Sequence, residues 1–287
     1  MKILVLGITG MLGHKAFSIF GQNTNFETFG TARKITDINR CFPDTKNIFS
    51  SVDALNPNSI FDLIDEIKPD IILNCIGIIK QLKEAKDPIL SIEINSLFPH
   101  RLARHIKNSN TRLIHISTDC VFSGDTGSYN ENDDSDAKDL YGKSKYLGEL
   151  KNYDNCITIR TSIIGPELKG KSSLLEWFLS QDKAVKGYVN AIYSGLTTFE
   201  LINIIENYVI KKSTKNGLYH VSSNPISKFE LLKIIANVYN KKIVIEPFEE
   251  FKNNKSLNSD IFKNDFGYIV KPWKTMISEM FNSTKPK

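Results

Sequence analysis

Tyr141 and Lys145 stand four residues apart in the run Tyr141-Gly142-Lys143-Ser144-Lys145. On a helix that spacing puts both side chains on one face, about one turn from each other. A lysine ammonium there can favour the ionised phenolate and lower a phenol pKa that ordinarily sits near ~10. Upstream, Ser117-Thr118-Asp119 follows an apolar run, and the Thr118 hydroxyl can give a second hydrogen bond to the same substrate oxygen. The three side chains together can move one proton to or from a carbonyl or an alcohol. For redox work they need a hydride source.

The N-terminus offers a place for one. Lys2-Ile3-Leu4-Val5-Leu6 reads as a strand buried on both faces. Gly7-Ile8-Thr9-Gly10-Met11-Leu12-Gly13 follows at once, and then a helical pattern through Phe17 and Phe20. In such a strand-to-helix turn the first glycine permits the tight bend and the second lets the backbone approach a pyrophosphate. The third allows close helix–strand packing, while the helix N-terminus faces the anion. Gly7, Thr9, Gly10, Met11, Leu12 and Gly13 are thus the candidate phosphate-binding turn. The spacing alone also occurs in ordinary turns; its place between a first strand and a first helix gives it meaning.

A NAD-preferring site usually carries an acidic residue at the end of the second strand, roughly 20 residues past the glycines. Here that stretch reads Thr31-Ala32-Arg33-Lys34. Two cations and no carboxylate suit a 2′-phosphate, so the expected cofactor is NADP(H). The competing reading makes Arg33 and Lys34 ordinary solvated loop residues.

Holding these groups together calls for an α/β architecture: a Rossmann-type, doubly wound parallel sheet with a smaller C-terminal substrate-binding lobe. Strands are expected at residues 2–6, 26–31, 47–52, 71–75, 112–117 and 156–161. Helices are expected from near Pro57, over 94–106 and over 141–151. Right-handed crossovers would bring the strand C-terminal ends, and the motifs after them, to one edge. Beyond Ser162 the pattern weakens, with helices over 174–179, 198–209 and 227–239 and short strands near 218–221 and 243–246. The division expected is a dinucleotide-binding domain over 1–165 and a lobe, mainly substrate-binding, over 166–287, with some later segments returning to the first.

Composition narrows the classes. The net charge of +5 is mild and its lysines are dispersed, unlike the concentrated basic surface of a nucleic-acid binder. No apolar run approaches the roughly 20 residues of a membrane helix, and no signal segment precedes the first strand, so a cytoplasmic protein is expected. Cys41, Cys75, Cys120 and Cys156 lack C-x-x-C pairing and read as free thiols. His14, His100, His105, His115 and His220 lack metal-ligand spacing, and no metal site is expected.

The glycine turn, the run His115-Ile116-Ser117-Thr118-Asp119-Cys120-Val121-Phe122-Ser123-Gly124 and the run Tyr141 to Glu149 together resemble the extended short-chain dehydrogenase/reductases. The branch they resemble most is that of the dTDP-4-dehydrorhamnose reductases and related reductases of nucleotide-linked 4-keto-6-deoxy sugars. The resemblance covers residues 1–165 and continues more thinly through residues 190–198 and 256–259. It implies an NADP(H)-dependent oxidoreductase with Thr118 as catalytic hydroxyl, Tyr141 as general acid and Lys145 on the nicotinamide ribose. It also implies that Asp53, beside Ala54, meets the adenine, that Cys75, Ile76 and Gly77 run along the cofactor, and that Asn95 supports the site. Duller roles compete: Thr118 as a strand-end cap, Lys145 as half of a surface pair with Glu149, Asp53 as a loop former, Asn95 as a buried backbone partner.

The implied partner is a nucleoside-diphosphate sugar, with Cys120, Val121, Phe122, Trp177, Asn190, Lys255 and Asn258 as candidate contacts and Lys186 beside them. A homodimer is a further expectation of the resemblance. Two other readings stay open. One is a nucleotide-sugar 4-epimerase with bound NAD, against which Arg33 and Lys34 argue. The other is a non-catalytic NADP-binding regulatory subunit, against which the intact Thr118, Tyr141 and Lys145 argue.

Overall fold

The computed structural model describes residues 1–42, 45–80 and 83–284. Its central sheet holds seven strands: β1 (Lys2–Leu6), β2 (Glu27–Thr31), β3 (Ile48–Phe49), β4 (Ile71–Asn74), β5 (Arg112–Ile116), β6 (Cys156–Arg160) and β7 (Gly217–His220). Their order across the sheet is β7-β6-β5-β4-β1-β2-β3. Pairing is parallel from β3 through to β6. The order reverses between β1 and β4, and in open sheets of this kind the crevice beyond the strand ends at such a reversal is where ligands bind.

Burial explains the strands. Ile3, Leu4, Val5 and Leu6 are wholly inaccessible, as a strand covered on both faces requires. One layer over the sheet comes from helix α2 (Asn58–Ile67), whose Ile60, Leu63, Ile64 and Ile67 recur at helical spacing and join Leu4, Leu6 and Ile72 in one core. Phe98, Leu102 and Ala103 of helix α3 (Phe98–His105) enter the same core.

Several elements differ from expectation. β3 is two residues long instead of six, because Ser51 turns into the left-handed region at φ 61° and ends the extended run. The helix expected over 94–106 is wound wide over Ile92–Leu97 before α3 begins, and that wide turn carries Asn95. The helix bearing Tyr141 stops early: α4 is Leu140–Leu147, with Gly148 as its C-cap. The second of the short C-terminal strands forms at Ile245–Phe248 and pairs in parallel with Val185–Tyr188.

The chain divides into two compact units. One comprises Met1–Val121, Ala137–Ile159 and Thr214–Leu218; the other comprises Phe122–Asp136, Arg160–Ser213 and Tyr219–Lys287. The chain leaves the first unit at Phe122, returns to it at Ala137 and leaves it again at Arg160, with Thr214–Leu218 returning once more. Among the described residues, no helix is long and apolar enough to cross a membrane, and no His, Cys, Asp and Glu group could hold a metal ion. None of the four cysteines is in a disulfide.

Candidate active site

The glycine turn is built by close backbone contacts. Gly7 has φ 81°, and a Cβ on it would stand 3.0 Å from the Ile76 side chain. A Cβ on Gly13 would stand 2.2 Å from the Gly7 carbonyl, so helix α1 (Met11–Gly21) can approach β1 only with glycine there. Gly10 is different: it is exposed, a Cβ there would meet only the Gly7 carbonyl at 3.5 Å, and it caps α1 with no side-chain hydrogen bond. The first N–H groups of α1 therefore have no side-chain cap, as an anion site requires. Leu12 is buried, so only its backbone can serve such a site, while Thr9 and Met11 are half-buried.

Around this turn stand the other cofactor candidates. Arg33 and Lys34 are exposed in the loop after β2, whose last residue, Thr31, accepts the Gly7 N–H through its Oγ1 at 3.2 Å. Asp53 is half-buried and shapes its own loop, its Oδ1 taking the Leu55 N–H at 3.0 Å; Ala54 beside it is buried. Cys75, Ile76 and Gly77 follow β4 and are held by Asn74, whose Oδ1 accepts the Ile76 N–H at 3.1 Å. The Asn74 amide nitrogen in turn donates to His115 Nδ1 at 3.1 Å. His115 is fully buried, and burial, then Lys145, pushes its pKa well down, so it stays a neutral acceptor.

Thr118, Tyr141 and Lys145 all lie in the same unit as that turn. Thr118 Oγ1 accepts the Cys120 N–H at 3.1 Å and faces Asp119 Oδ1 at 3.2 Å. Tyr141 enters α4 behind Asp139, which caps the helix by taking the Gly142 N–H at 2.8 Å and also pairs with Lys80 at 2.7 Å. Asn95 is buried on the wide turn and holds three groups. Its Oδ1 takes the Ile78 N–H at 2.9 Å, and its amide nitrogen donates to the Ile78 carbonyl at 3.1 Å and to Ser144 Oγ at 3.2 Å. Two glycines let α4 come this near. A Cβ on Gly142 would lie 2.1 Å from the Cys120 carbonyl, and one on Gly148 would lie 1.9 Å from the Asn95 carbonyl.

The electrostatics correct one expectation. Tyr141 is not shifted down by Lys145; burial, then Cys120, raises its pKa, and a hydrogen bond with Thr118 opposes the rise. Lys145 Nζ instead donates to the Ile116 carbonyl at 2.7 Å, and burial brings its pKa down to about 8 against the pull of Glu149 and Cys75. Nor do Lys145 and Glu149 form a solvated surface pair, since both are buried. A phenol held in its protonated form is suited to giving a proton, the direction a reduction needs.

In the second unit three segments are stitched together. Asn253 N–H donates to the Asn190 carbonyl at 3.1 Å, Asn254 N–H to the Gly124 carbonyl at 2.7 Å, and Asn258 N–H to the Tyr129 carbonyl at 2.7 Å. Asn190, Lys255 and Asn258 thus lie on one hydrogen-bonded framework with the loop after Phe122. Asn190 and Asn258 help build it: Asn190 donates to the Glu249 carbonyl and Asn258 Oδ1 accepts the Asp260 N–H. Trp177 is 37 % exposed on the helix Leu174–Leu179, and Lys186 lies over the Phe248 ring.

Val121 and Phe122, expected as substrate contacts, have no accessible surface. Phe122 is stacked on Tyr129 at 4.1 Å with the Arg160 guanidinium 5.1 Å from its ring, so it supports the framework from within. Cys120 is half-buried beside Thr118. Arg160 is itself fully buried and donates to His220 Nε2 at 3.1 Å. His220 Nδ1 faces the carbonyls of Tyr129 and Asn258, which only accept, so that nitrogen carries the ring proton. Burial, then Arg160, lowers the His220 pKa to about 3.

The roles of Asp139, His115 and Ser117, and the packing of Gly142 and Gly148, were not assigned from the sequence. The signal for Asp139 was present, since an Asp just before a helical run is a common N-cap.

A parallel sheet with its reversal beside a glycine turn, and a threonine, tyrosine and lysine gathered past the fifth strand, define a Rossmann-type α/β protein of the oxidoreductase kind. More narrowly, the chain belongs to the family described as the RmlD substrate binding domain, whose model matches residues 1–285. Among curated relatives, a dTDP-4-dehydrorhamnose reductase of Aggregatibacter actinomycetemcomitans is 26 % identical over 233 residues, 78 % of this chain and 74 % of the relative. The methionine adenosyltransferase 2 subunit beta of Bos taurus is 27 % identical over 171 residues, 58 % of this chain and 48 % of that one. Among solved structures, the dTDP-4-dehydrorhamnose reductase of Bacillus anthracis in complex with NADP superposes with a TM-score of 0.79 at 24 % identity, covering 99 % of both chains.

Proposed function

We propose that the chain is an NADPH-dependent reductase of the keto group of a nucleoside-diphosphate 4-keto-6-deoxyhexose, serving deoxysugar or cell-surface polysaccharide synthesis. The observation that carries this reading is the joining, within one compact unit, of Thr118, Tyr141 and Lys145 to a glycine turn with an uncapped helix start. The residues fit a dinucleotide: Gly10 leaves its backbone bare where a side chain elsewhere in the turn would collide. The N–H groups from Thr9 to Leu12 would hold the pyrophosphate, with Gly7 and Gly13 shaping the turn. Arg33 and Lys34 would meet the 2′-phosphate, Asp53 and Ala54 the adenine, and Cys75, Ile76 and Gly77 the inner edge, with Asn95 and Lys145 at the nicotinamide end.

Bound there, the dinucleotide supplies the hydride. Tyr141 gives its proton to the keto oxygen as charge develops on it, and its burial keeps the phenol protonated until then. Thr118 donates the second hydrogen bond to that oxygen. Lys145 favours return of the proton to Tyr141. Cys120, Trp177, Asn190, Lys255 and Asn258 are the residues we assign to the sugar nucleotide, the cation and amides serving its diphosphate. We extend the reading to a homodimer, for which the exposed Ile89, Ile92, Leu97 and Leu147 are candidate contacts and light-scattering mass the check.

Following NADPH absorbance with 4-keto-6-deoxy sugars on dTDP, UDP and GDP tests the reading, and steady consumption is expected with one of them. Isomerisation without net consumption would make the chain an epimerase. Tight NADP binding with no turnover would favour a regulatory subunit, a reading supported by the relatives named methionine adenosyltransferase 2 subunit beta.

A further inference from the structure

Glu149 has no part in the reaction just described, yet its side chain is 1 % exposed. Carboxylates are almost never fully buried unless paired. Lys151 stands 3.7 Å away but is 39 % exposed, so solvent screens that pairing. The shorter contact is with Ser117, whose hydroxyl donates to Glu149 Oε1 at 2.9 Å. One turn earlier, Lys145 Nζ donates to the carbonyl of Ile116. Lys145 and Glu149 thus take hold of consecutive residues on the chain that runs straight on to Thr118.

We infer that Glu149 is a positioning residue, which with Ser117 clamps the Tyr141–Lys145 helix to the strand end bearing Thr118 and serves as the buried counter-charge of Lys145. Its expected effect on turnover rests on the reductase reading; the electrostatic coupling to Lys145 does not. The titratable groups acting with Lys145 are Glu149 beyond the end of its own helix, Cys75 after β4 and His115 on β5. His115 is neutral, and burial pushes the Cys75 thiol up to about 12, leaving it uncharged at neutral pH. Glu149 is therefore the carboxylate among them that opposes the loss of charge burial imposes on Lys145.

The test follows the Lys145 amine by NMR of lysine-labelled protein across pH, assigned with Lys145→Met, and needs no substrate. In Glu149→Gln, which keeps shape and an acceptor for Ser117, the Lys145 titration is expected to fall by about one pH unit. Glu149→Met, which removes the carboxylate and leaves the Ser117 hydroxyl without that acceptor, gives the same fall and serves if the glutamine variant does not fold. Glu149→Asp keeps the charge and the titration, while Ser117→Ala leaves the titration in place and lowers turnover about tenfold. A Lys145 titration in Glu149→Gln or Glu149→Met identical to the unsubstituted protein's overturns the inference. A shifted titration in a protein that reduces none of the keto sugars sustains the counter-charge and removes the reductase reading instead.

Discussion

The two units hold their candidate residues by opposite means. In the first, main chain lies against main chain: Gly13 against Gly7, Gly142 against Cys120, Gly148 against Asn95. In the second, side-chain amides and backbone bonds lace three loops together around a buried Phe122, Tyr129, Arg160 and His220 cluster. The first arrangement permits almost no displacement, which suits groups that must meet a reacting atom. The second fixes a framework and leaves its outward side chains free to differ, which suits recognition of a variable sugar nucleotide.

The largest effect that could break this contrast is chemical. Tyr141→Phe should lower turnover at least about 100-fold while NADPH fluorescence titration shows unchanged binding; near-normal turnover would remove Tyr141 as the acid. Next, Gly148→Val forces a side chain into the Asn95 carbonyl, and urea unfolding should show a loss of about 1–3 kcal/mol together with reduced turnover. If the variant is as stable and active as the parent, the rigid contact is not what positions α4. Replacing Arg33 and Lys34 by alanine should weaken NADPH binding about tenfold and leave NADH binding nearly unchanged. Equal losses for both cofactors would make the two residues bystanders.

Two smaller effects probe the second unit. Folded His220 keeps a pKa of about 3 against 6.5 in the unfolded chain, so below pH 6.5 the unfolded state binds the extra proton. Stability that His220 contributes above pH 6.5 is then lost as pH falls, by about 1.4 kcal/mol per unit, and buried His115 adds to the slope. His220→Gln should flatten the curve between pH 6.5 and 5; an unchanged slope refutes it. Smallest of all, Lys255→Met should raise the KM for the sugar nucleotide about threefold with kcat and NADPH affinity intact, as expected for one half-buried cation still screened by solvent. A collapse of kcat instead would draw Lys255 into the chemistry.

Much of the first unit was legible because its rules are local. A fully apolar run such as Ile71-Ile72-Leu73 announces a doubly covered strand, and a glycine triplet after a strand announces a turn. What stayed hidden depended on the third dimension. Ser51 carries no mark of the left-handed turn that cuts β3 short. Glu149, four residues past Lys145, has the spacing of a surface ion pair, but it is buried and takes the hydroxyl of Ser117 beyond β5. Phe122 looked like a contact residue because it follows Thr118 closely in the chain, but Tyr129 and Arg160 pack against its ring and it has no accessible surface. The expected downward pull of Lys145 on Tyr141 failed for a related reason: dehydration of a phenol outweighs a cation whose proton is engaged with a carbonyl elsewhere.

The contact of Gly148 with the Asn95 carbonyl also bears on how this site can change over generations. A crowded side chain can swing to another rotamer and let a neighbour grow; two touching main chains have no such freedom. Any replacement at that glycine must move the wide turn carrying Asn95 or the helix carrying Tyr141, and either shift changes how that helix is seated. On the proposed reading, descendants of this chain can reshape the loops around Asn190 and Lys255 in small steps, and with them the molecule recognised. On the proposed reading Tyr141 has no comparable path, so lineages that lose it would lose the reaction whole.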